Sequence, residues 1–279
     1  GCQSHPAVKG NILYVAANDW FLRAFDLASS TGTLLWEADL NSEVVSAPAV
    51  TPRLVVVGSM DSHVYAFDRK TGEEKWRFKT GNAVFASPLI EDGTVYIGSG
   101  DRHLYAIDLQ TGLEKWRFQA EAHIKATPAL ADGKLFFGAW DNWFYCVDAA
   151  DGSLVWKVPV SVDPPRFSAA TCNPVATDQG TIILCSHDYS VRCFDQKTGA
   201  QIWIYKPKKD ELGPSYSQAV IKNGVAYFGS ISGRVVGHNI TTGQKVFDVE
   251  LRPGKPDPVF DSIPLIRGNH LYVGTVGYF

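Results

Sequence analysis

The sequence predicts an all-β protein, a β-propeller built from four-stranded antiparallel blades. The first observation is a phrase repeated about every 40 residues, a period typical of solenoids, propellers and repeat arrays. It is clearest in residues 94–118 (TVYIGSGDRHLYAIDLQTGLEKWRF), and residues 54–78 nearly repeat it. The second observation is the content of each copy: short alternating runs rich in β-branched and aromatic residues, with no helical periodicity. Four such runs in each copy favour a propeller over a sandwich.

The repeat can be followed along the chain by the small residue that ends its second strand. In the third copy, the four predicted strands are residues 87–91, 94–99, 103–108 and 114–120. The spacing between copies grows from about 40 residues in the first half to about 45 later. Six copies are complete and a seventh is partial. The seven marker residues are Ala16, Gly58, Gly98, Gly138, Cys185, Gly229 and Gly274.

Two kinds of hairpin turn separate these strands. The turn between the first and second strands carries an Asp-Gly or Asn-Gly pair, which favours type I′ because both central residues need positive φ. These pairs begin at Asp92, Asp132 and Asn223. The turn between the third and fourth strands carries a Thr-Gly pair. These begin at Thr71, Thr111, Thr198 and Thr242.

A tryptophan closes most copies. The second and third copies share the pattern Ala-x-Asp-x-x-Thr-Gly-x-x-x-Trp, which ends at Trp76 and at Trp116. A flat indole can stack on the turn glycine of the next blade, where a side chain would block it, and a nearby carbonyl can accept its N–H. We interpret these residues as structural docking residues. They are Trp36, Trp76, Trp116, Trp156, Trp203 and, in the sixth copy, Phe247.

The pattern resembles the tryptophan-docking repeat of PQQ-like (quinoprotein-type) β-propellers, over essentially the whole chain. In character the chain is similar to the non-enzymatic propeller lipoprotein of bacterial outer-membrane assembly. The same repeat occurs in PQQ-dependent dehydrogenases, which implies PQQ and calcium as cofactors under that alternative. The alcohol dehydrogenase branch of those enzymes carries an adjacent cysteine pair, and this sequence has none.

The extent of the domain is also an expectation from the repeats. Residues 1–279 are predicted to form a single propeller with six complete blades and part of a seventh. The third strand of the seventh copy would begin near Phe279. Because propellers avoid open sheet edges, we expect this domain to be incomplete at its C-terminal end and its parent to have seven or eight blades.

Composition excludes several classes of function. The formal charge is −3 and no long basic run occurs, which argues against a nucleic-acid partner. No apolar run approaches the length of a transmembrane helix. The five cysteines show no CxxC spacing, so we expect no zinc site.

Two cysteine assignments stay open. Cys185 and Cys193 flank one hairpin, which allows a disulfide, although small buried apolar residues fit these positions better. Cys2 follows a small residue, as at the end of a bacterial lipoprotein signal, and a lipid there would anchor the protein to a membrane. An arbitrary start of the sequence fits Cys2 equally well.

Candidate binding residues lie in loops where the copies differ, because function is usually carried by variable loops on a fixed scaffold. Several are aromatic residues outside the docking position, which we interpret as a platform for a partner chain or a sugar ring. The alternative is that they only cover their own loops. Aspartates that recur in these loops are interpreted as turn-stabilising. The loop candidates are Trp20, Trp140, Asn142, Trp143, Phe167, His187 and Tyr189.

A second candidate group precedes the first strand of each copy, where the mouth of a propeller channel is expected. Lys125, Tyr216 and Asp261 belong to it, with a predicted charge pair between Lys125 and Asp261. The group lacks the paired carboxylates or His/Cys cluster that hydrolysis or metal catalysis requires. We therefore assign no catalytic residue and no metal ligand.

The predicted function is a non-catalytic scaffold or binding protein of the bacterial cell envelope, presenting one loop face to a protein partner without a cofactor. The expected location is the periplasm or cell envelope, with a lipid on Cys2 or without it, and secretion is the alternative. Two alternative functions are a PQQ-dependent dehydrogenase and a carbohydrate-binding propeller.

Overall fold

The structure of this chain is a computed structural model that describes residues 4–28, 31–160, 172–186, 190–207, 218–229, 233–251 and 264–274. Within these ranges the regular secondary structure consists of β-strands only. Among the described residues there is accordingly no helix long and apolar enough to cross a membrane. The chain divides into two compact units, Gly1–Pro128 and Ala129–Phe279, which are described in turn.

The first unit contains three four-stranded antiparallel sheets, here called blades one to three. In each, every strand pairs with the strand that follows it in the chain. Blade one is β1 (Ala7–Lys9), β2 (Ile12–Ala16), β3 (Phe21–Asp26) and β4 (Thr33–Asp39). Blade two is β5 (Ala49–Val50), β6 (Leu54–Gly58), β7 (His63–Asp68) and β8 (Glu74–Lys79). Blade three is β9 (Leu89–Glu91), β10 (Thr94–Gly98), β11 (His103–Asp108) and β12 (Glu114–Gln119).

The second unit contains blades four to six and a two-stranded sheet. Blade four is β13 (Ala129–Ala131), β14 (Lys134–Gly138), β15 (Trp143–Asp148) and β16 (Leu154–Pro159). Blade five is β17 (Val175–Ala176), β18 (Thr181–Cys185), β19 (Val191–Asp195) and β20 (Gln201–Tyr205). Blade six is β21 (Val220–Lys222), β22 (Val225–Gly229), β23 (Arg234–Asn239) and β24 (Lys245–Glu250). The two-stranded sheet is β25 (Leu265–Arg267) and β26 (His270–Tyr272).

The predicted fold class is confirmed, because the described residues form six four-stranded antiparallel sheets and part of a seventh. The predicted strand ends differ from the observed ones by one or two residues. In blade three the first strand begins at Leu89 and not at residue 87, where Pro88 has no N–H to give to a ladder. The predicted single domain over residues 1–279 stays a prediction.

The tight turns adopt the backbone that their residues predict. Asp92 and Gly93 have φ of 44° and 71°, so both central residues are left-handed as a type I′ turn requires. Asp132 with Gly133 and Asn223 with Gly224 repeat this conformation. A short two-residue link therefore sets the register between the first and second strands of these blades.

The turns between the third and fourth strands receive an indole from the preceding blade; we call residues 68–72, 108–112, 195–199 and 239–243 the docking turns. The N–H of Trp76 donates to the carbonyl of Leu109 at 3.0 Å, and a Cβ on Gly112 would lie 2.7 Å from the indole. Only glycine fits beneath the ring. The same contact joins Trp36 to Gly72, Trp156 to Gly199 and Trp203 to Gly243.

The core lies between neighbouring sheets. In the first unit, Val56 and Val64 of blade two pack in one cluster with Val95 and Tyr105 of blade three. All five residues of β6 are buried, as are all five of β10, whereas the outer strand β8 exposes four of its six residues. Because both faces of an inner strand are covered, its sequence is continuously apolar and not alternating.

The cysteines in the described part of the chain are four buried free thiols: Cys146, Cys172, Cys185 and Cys193. The disulfide between Cys185 and Cys193 that the sequence left open is therefore absent. Its absence has a geometric reason, since Cys185 pairs with Val191 and Cys193 pairs with Ile183. The two cysteines are diagonal neighbours, which are typically 7–8 Å apart, too far for a disulfide.

Candidate functional site

Four loops between the second and third strands share one geometry; we call residues 18–21, 60–63, 100–103 and 140–143 the Asp loops. The second residue of each is an aspartate whose Oδ1 accepts the N–H two positions later. The third residue has positive φ in all four: 78° at Trp20, 75° at Ser62, 78° at Arg102 and 66° at Asn142. The aspartate thus closes a turn whose next residue is left-handed.

The other oxygen of each loop aspartate is held by a side chain from the third strand of its own blade. The hydroxyls of Tyr105 and Tyr145 donate to Asp101 and Asp141, each at 2.7 Å, and Tyr65 does the same to Asp61. In blade one, Arg23 takes this place, with a guanidinium nitrogen 2.6 Å from Asp19. The recurrence of these aspartates is therefore explained by the turn, as the sequence interpretation favoured.

Electrostatics follow from this arrangement. Burial opposes the charge on Asp101, but bonds from the Tyr105 hydroxyl and from the N–H groups of Gly81 and His103 outweigh it and hold its pKa below the ordinary value. Burial, together with the hydrogen bond to Asp61, raises the pKa of Tyr65 to about 12. Burial also raises the pKa of Tyr105, so Tyr65 and Tyr105 stay protonated near neutral pH and act as donors to a carboxylate.

The Asp loop of blade four carries three of the predicted binding residues and is here called the blade-four aromatic loop. Trp140 is 40% exposed and Trp143 is half-buried, with the Lys157 ammonium 4.6 Å from its ring centroid. Between them, the buried Oδ1 of Asn142 has no hydrogen-bond partner among the described residues. The loop therefore presents two indoles beside a cation, and the buried Asn142 oxygen lies beneath them without contributing to the accessible surface.

The turn itself does not require the tryptophans of this loop. Blade three forms the same turn with Gly100 and His103 where blade four has Trp140 and Trp143. The backbone bond to the aspartate is nearly the same length in both, 3.0 Å and 2.9 Å. This equivalence weakens the alternative that these indoles serve only to cover their loop.

Trp20 occupies the left-handed position of the Asp loop in blade one. Its φ is 78° and 51% of it is exposed. A non-glycine residue held at positive φ costs about 1–2 kcal/mol, and asparagine or glycine would be favoured there. A bulky apolar residue at a strained, exposed position is consistent with a role in contact, although strain alone does not identify the contact.

Of the channel-mouth candidates, Lys125 is described. Its Nζ lies 4.2 Å from the ring centroid of Phe85, the equivalent residue of the preceding blade, and burial lowers its pKa. Consecutive copies thus bring their equivalent residues together within the first unit. The remaining predicted candidates lie outside the described residues: Phe167, His187, Tyr189, Tyr216 and Asp261.

The sequence reasoning missed one concave site. A cavity of about 410 Å³ in the second unit is lined by Tyr227, Phe247, Ile266 and His270, among others. Phe247 stands at the docking position and is 37% exposed, with its ring edge-on to Tyr227. A phenylalanine in place of tryptophan was the sequence signal for this departure. No group of three His, Cys, Asp or Glu side chains suited to a metal occurs in the described ranges.

Comparisons with known proteins agree with this architecture. The family model described as outer membrane protein assembly factor BamB matches residues 1–112, 81–165 and 116–257 in overlapping segments. Among solved structures, the crystal structure of BamB from Moraxella catarrhalis is similar, with a TM-score of 0.81 at 20% sequence identity. That similarity covers 98% of this chain and 80% of the other and shows a common β-propeller fold. No curated protein matches the sequence.

Proposed function

We propose that this chain, which belongs to the family of the outer membrane protein assembly factor BamB, is a non-catalytic scaffold of the bacterial envelope. Its role would be to hold a protein partner during outer membrane protein assembly. The family match over most of the chain and the shared propeller fold support this proposal. The chemistry of the loops supports it as well, because they offer apolar contact area and hydrogen-bond acceptors.

The observation that carries the proposal is the blade-four aromatic loop. Tryptophan is enriched among residues that dominate binding energy, and truncating one such anchor typically costs about 2 kcal/mol or more. Trp140 is 40% exposed and Trp143 is half-buried, whereas the docking tryptophans in the described contacts lie against glycine turns.

The test replaces this loop with its blade-three counterpart. The triple variant Trp140→Gly, Asn142→Arg and Trp143→His turns WDNW into GDRH, a loop that the same turn geometry already accommodates. A photo-crosslinking residue is placed at Lys157, in the wild type and in the triple variant, and both are exposed to envelope extract of the source bacterium. We expect a defined polypeptide adduct with the wild-type loop and its loss in the triple variant.

The matched control replaces the Asp loop of blade two with the same blade-three sequence. Met60→Gly with Ser62→Arg also produces GDRH, and it leaves the aromatic loop intact. The adduct should persist in this control. Equal adduct yield in the triple variant and the control, with both variants folded by circular dichroism, would exclude the blade-four loop as the contact.

The location of the protein is part of the same proposal. The family places its members in outer-membrane assembly, which supports the periplasmic side of the envelope. A lipid on Cys2 would anchor the chain there, although Cys2 lies outside the described residues. Metabolic labelling with a radioactive fatty acid, compared between the wild type and Cys2→Ser, tests the anchor. Label that is retained in Cys2→Ser would exclude this attachment.

Neither alternative function is favoured by the family match. For a PQQ-dependent dehydrogenase, the decisive experiment adds PQQ and calcium and follows quinone absorbance and dye reduction. Clear turnover would overturn the scaffold proposal. For a carbohydrate-binding propeller, saturable binding to a glycan array that the triple variant loses would identify a sugar as the occupant of the aromatic loop.

A further inference from the structure

Three cysteines lie in one apolar cluster between blades five and six. Cys172, Cys185 and Cys193 pack there with Ile183 and other residues, and all three are almost fully buried. Cys193 has a structural reason to be small, because it stands opposite Trp203 in the ladder as Ala66 stands opposite Trp76. Cys172 and Cys185 have no such reason, since other blades use different residues at their positions.

The strand register identifies those equivalent positions. Val175 pairs with Ile183 in blade five as Ala49 pairs with Val56 in blade two. Cys172 lies three residues before Val175, as Ser46 lies three residues before Ala49. Cys185 lies two residues after Ile183, as Gly58 lies two residues after Val56. In blade one the same two positions are Ser4 and Ala16.

In both reference blades, the side chain at the first position touches the main chain at the second. Ser46 Oγ accepts the N–H of Gly58 at 3.2 Å, and Ser4 Oγ donates to the carbonyl of Ala16 at 2.5 Å. The same register brings Cys172 close to Cys185, and both side chains lie in one apolar cluster. Full burial raises the pKa of the Cys185 thiol, and the proximity of Cys172 raises it further.

We propose that Cys172 and Cys185 form a disulfide when the protein folds in the presence of a thiol–disulfide oxidant. One thiolate attacks the oxidant's disulfide and forms a mixed disulfide, and the second thiolate displaces the oxidant's remaining sulfur. The Cys172–Cys185 bond forms and the oxidant's bond breaks. The two protein thiols lose two protons and two electrons, which reduce the oxidant's disulfide to two thiols. Oxidising compartments such as the periplasm supply oxidants of this class.

Burial fixes when this reaction takes place. Cys172 and Cys185 are each 3% exposed, so an oxidant cannot reach them in the closed cluster. A thiol with a raised pKa is also a poor nucleophile, because the thiolate is the reactive form. The bond must therefore form while blade five is still open, before its inner strand is covered.

The experiment refolds the full chain from the reduced, urea-unfolded state with oxidised glutathione, blocks free thiols with N-ethylmaleimide, and analyses tryptic peptides. No Lys or Arg lies between Phe167 and Val191, so one peptide, residues 167–192, carries both cysteines. We expect this peptide to be unalkylated and lighter by two hydrogens than its reduced form. Cleavage before Asp178 and Asp188 should leave residues 167–177 and 178–187 joined until the disulfide is reduced. We expect Tm to rise by about 5 °C.

Matched variants come from the other blades. Cys172→Ser and Cys185→Gly restore the blade-two residues, and each should abolish the rise in Tm and leave its partner alkylated. Cys193→Ala restores the residue of blades two and three and should retain the bond. Two maleimide groups on peptide 167–192 from correctly folded, oxidatively refolded protein would overturn the proposal. A crosslink that involves Cys193 would overturn it as well.

Discussion

The docking turns and the Asp loops lie at opposite ends of the third strand of their blades, and they repeat in different ways. A docking turn repeats its side chains. Asp108 Oδ1, for example, accepts the N–H of Gln110 and both the N–H and hydroxyl of Thr111, and Asp195 and Asn239 serve equivalent residues in the same way. An Asp loop repeats its backbone and its aspartate, while the first and third residues of the loop differ in all four blades.

This difference shows at which positions of a blade the residues can vary without loss of the fold. A docking turn must serve two blades at once, because its glycine lies beneath an indole of the preceding blade. An Asp loop closes within its own blade, through the bond between the aspartate and a third-strand tyrosine or arginine, and in blade three the aspartate also accepts the N–H of Gly81 from the link after blade two. Once that bond is made, neighbouring positions such as Trp140 and Asn142 can change without loss of the turn. The positions beside the aspartate of an Asp loop can therefore carry binding residues without loss of the turn.

The strongest test of this comparison is Gly112→Ala. The substitution forces a side chain into φ of +72° and places a Cβ 2.7 Å from the Trp76 indole. We expect a loss of about 3–4 kcal/mol in the free energy of unfolding, measured by urea titration. The control is Gly93→Ala in the same blade, where φ is +71° and no atom lies within 4 Å of the added Cβ.

The control should lose only the cost of the left-handed backbone, about 1–2 kcal/mol. The difference between the two variants then measures the docking contact alone. Equal losses in Gly112→Ala and Gly93→Ala would show that the indole contact imposes no demand on the turn, and the contrast with the Asp loops would disappear.

The second test removes an Asp-loop anchor with Asp101→Asn. Asp101 accepts from the Tyr105 hydroxyl at 2.7 Å, from the Gly81 N–H at 2.6 Å and from the His103 N–H at 3.0 Å. Asparagine has only one acceptor oxygen, so its amide nitrogen faces at least one donor. We expect a loss of about 2 kcal/mol in the free energy of unfolding. Asp92→Asn is the control, because Asn-Gly suits a type I′ turn as well as Asp-Gly does.

The same variant carries a pH signature. The pKa of Asp101 is lower in the folded protein than in the unfolded chain, so its charge stabilises the fold above about pH 4. That contribution is lost as pH falls through the folded pKa. The stability difference between the wild type and Asp101→Asn should thus be largest near neutral pH and shrink below pH 4. A difference that stays constant from pH 7 to pH 3 would assign the loss to packing and not to charge.

The sequence predicted the parts of the molecule in which the repeats agree. The Asp-Gly turns and the Thr-Gly docking turns have local signatures that fix φ, and the apolar run of β11 marks an inner strand whose four central residues are buried. The partner of Asp101 was not predicted, because Tyr105 lies on the next strand and a tyrosine in a buried strand gives no sign that its hydroxyl reaches back to a loop. The unpaired oxygen of Asn142 depends on rotamer and burial, which no spacing rule reports.

The third test should raise stability instead of lowering it, because it relieves backbone strain in an Asp loop. Trp20→Asn places at φ of 78° the residue that blade four uses at the equivalent φ of 66°. We expect the free energy of unfolding to rise by about 1 kcal/mol, since asparagine tolerates the left-handed region. The reciprocal variant, Asn142→Trp, should lose a similar amount. A stability loss in Trp20→Asn would mean that the indole makes stabilising contacts in its own blade.

The smallest expected change in stability comes from Trp140→Met, which introduces the residue that blade two carries at this position. Because Trp140 is 40% exposed and the turn is held by Asp141, the free energy of unfolding should change by less than about 0.5 kcal/mol. The matched substitution Trp156→Met removes an indole that donates to the Gln196 carbonyl at 3.1 Å and covers Gly199, and should cost about 3 kcal/mol. Partner crosslinking should respond in the opposite order, with loss in Trp140→Met and retention in any Trp156→Met protein that remains folded. Equal losses of unfolding free energy in Trp140→Met and Trp156→Met would contradict this comparison. Trp140 would then be a structural residue like the docking tryptophans, and the partner would have to bind at another surface.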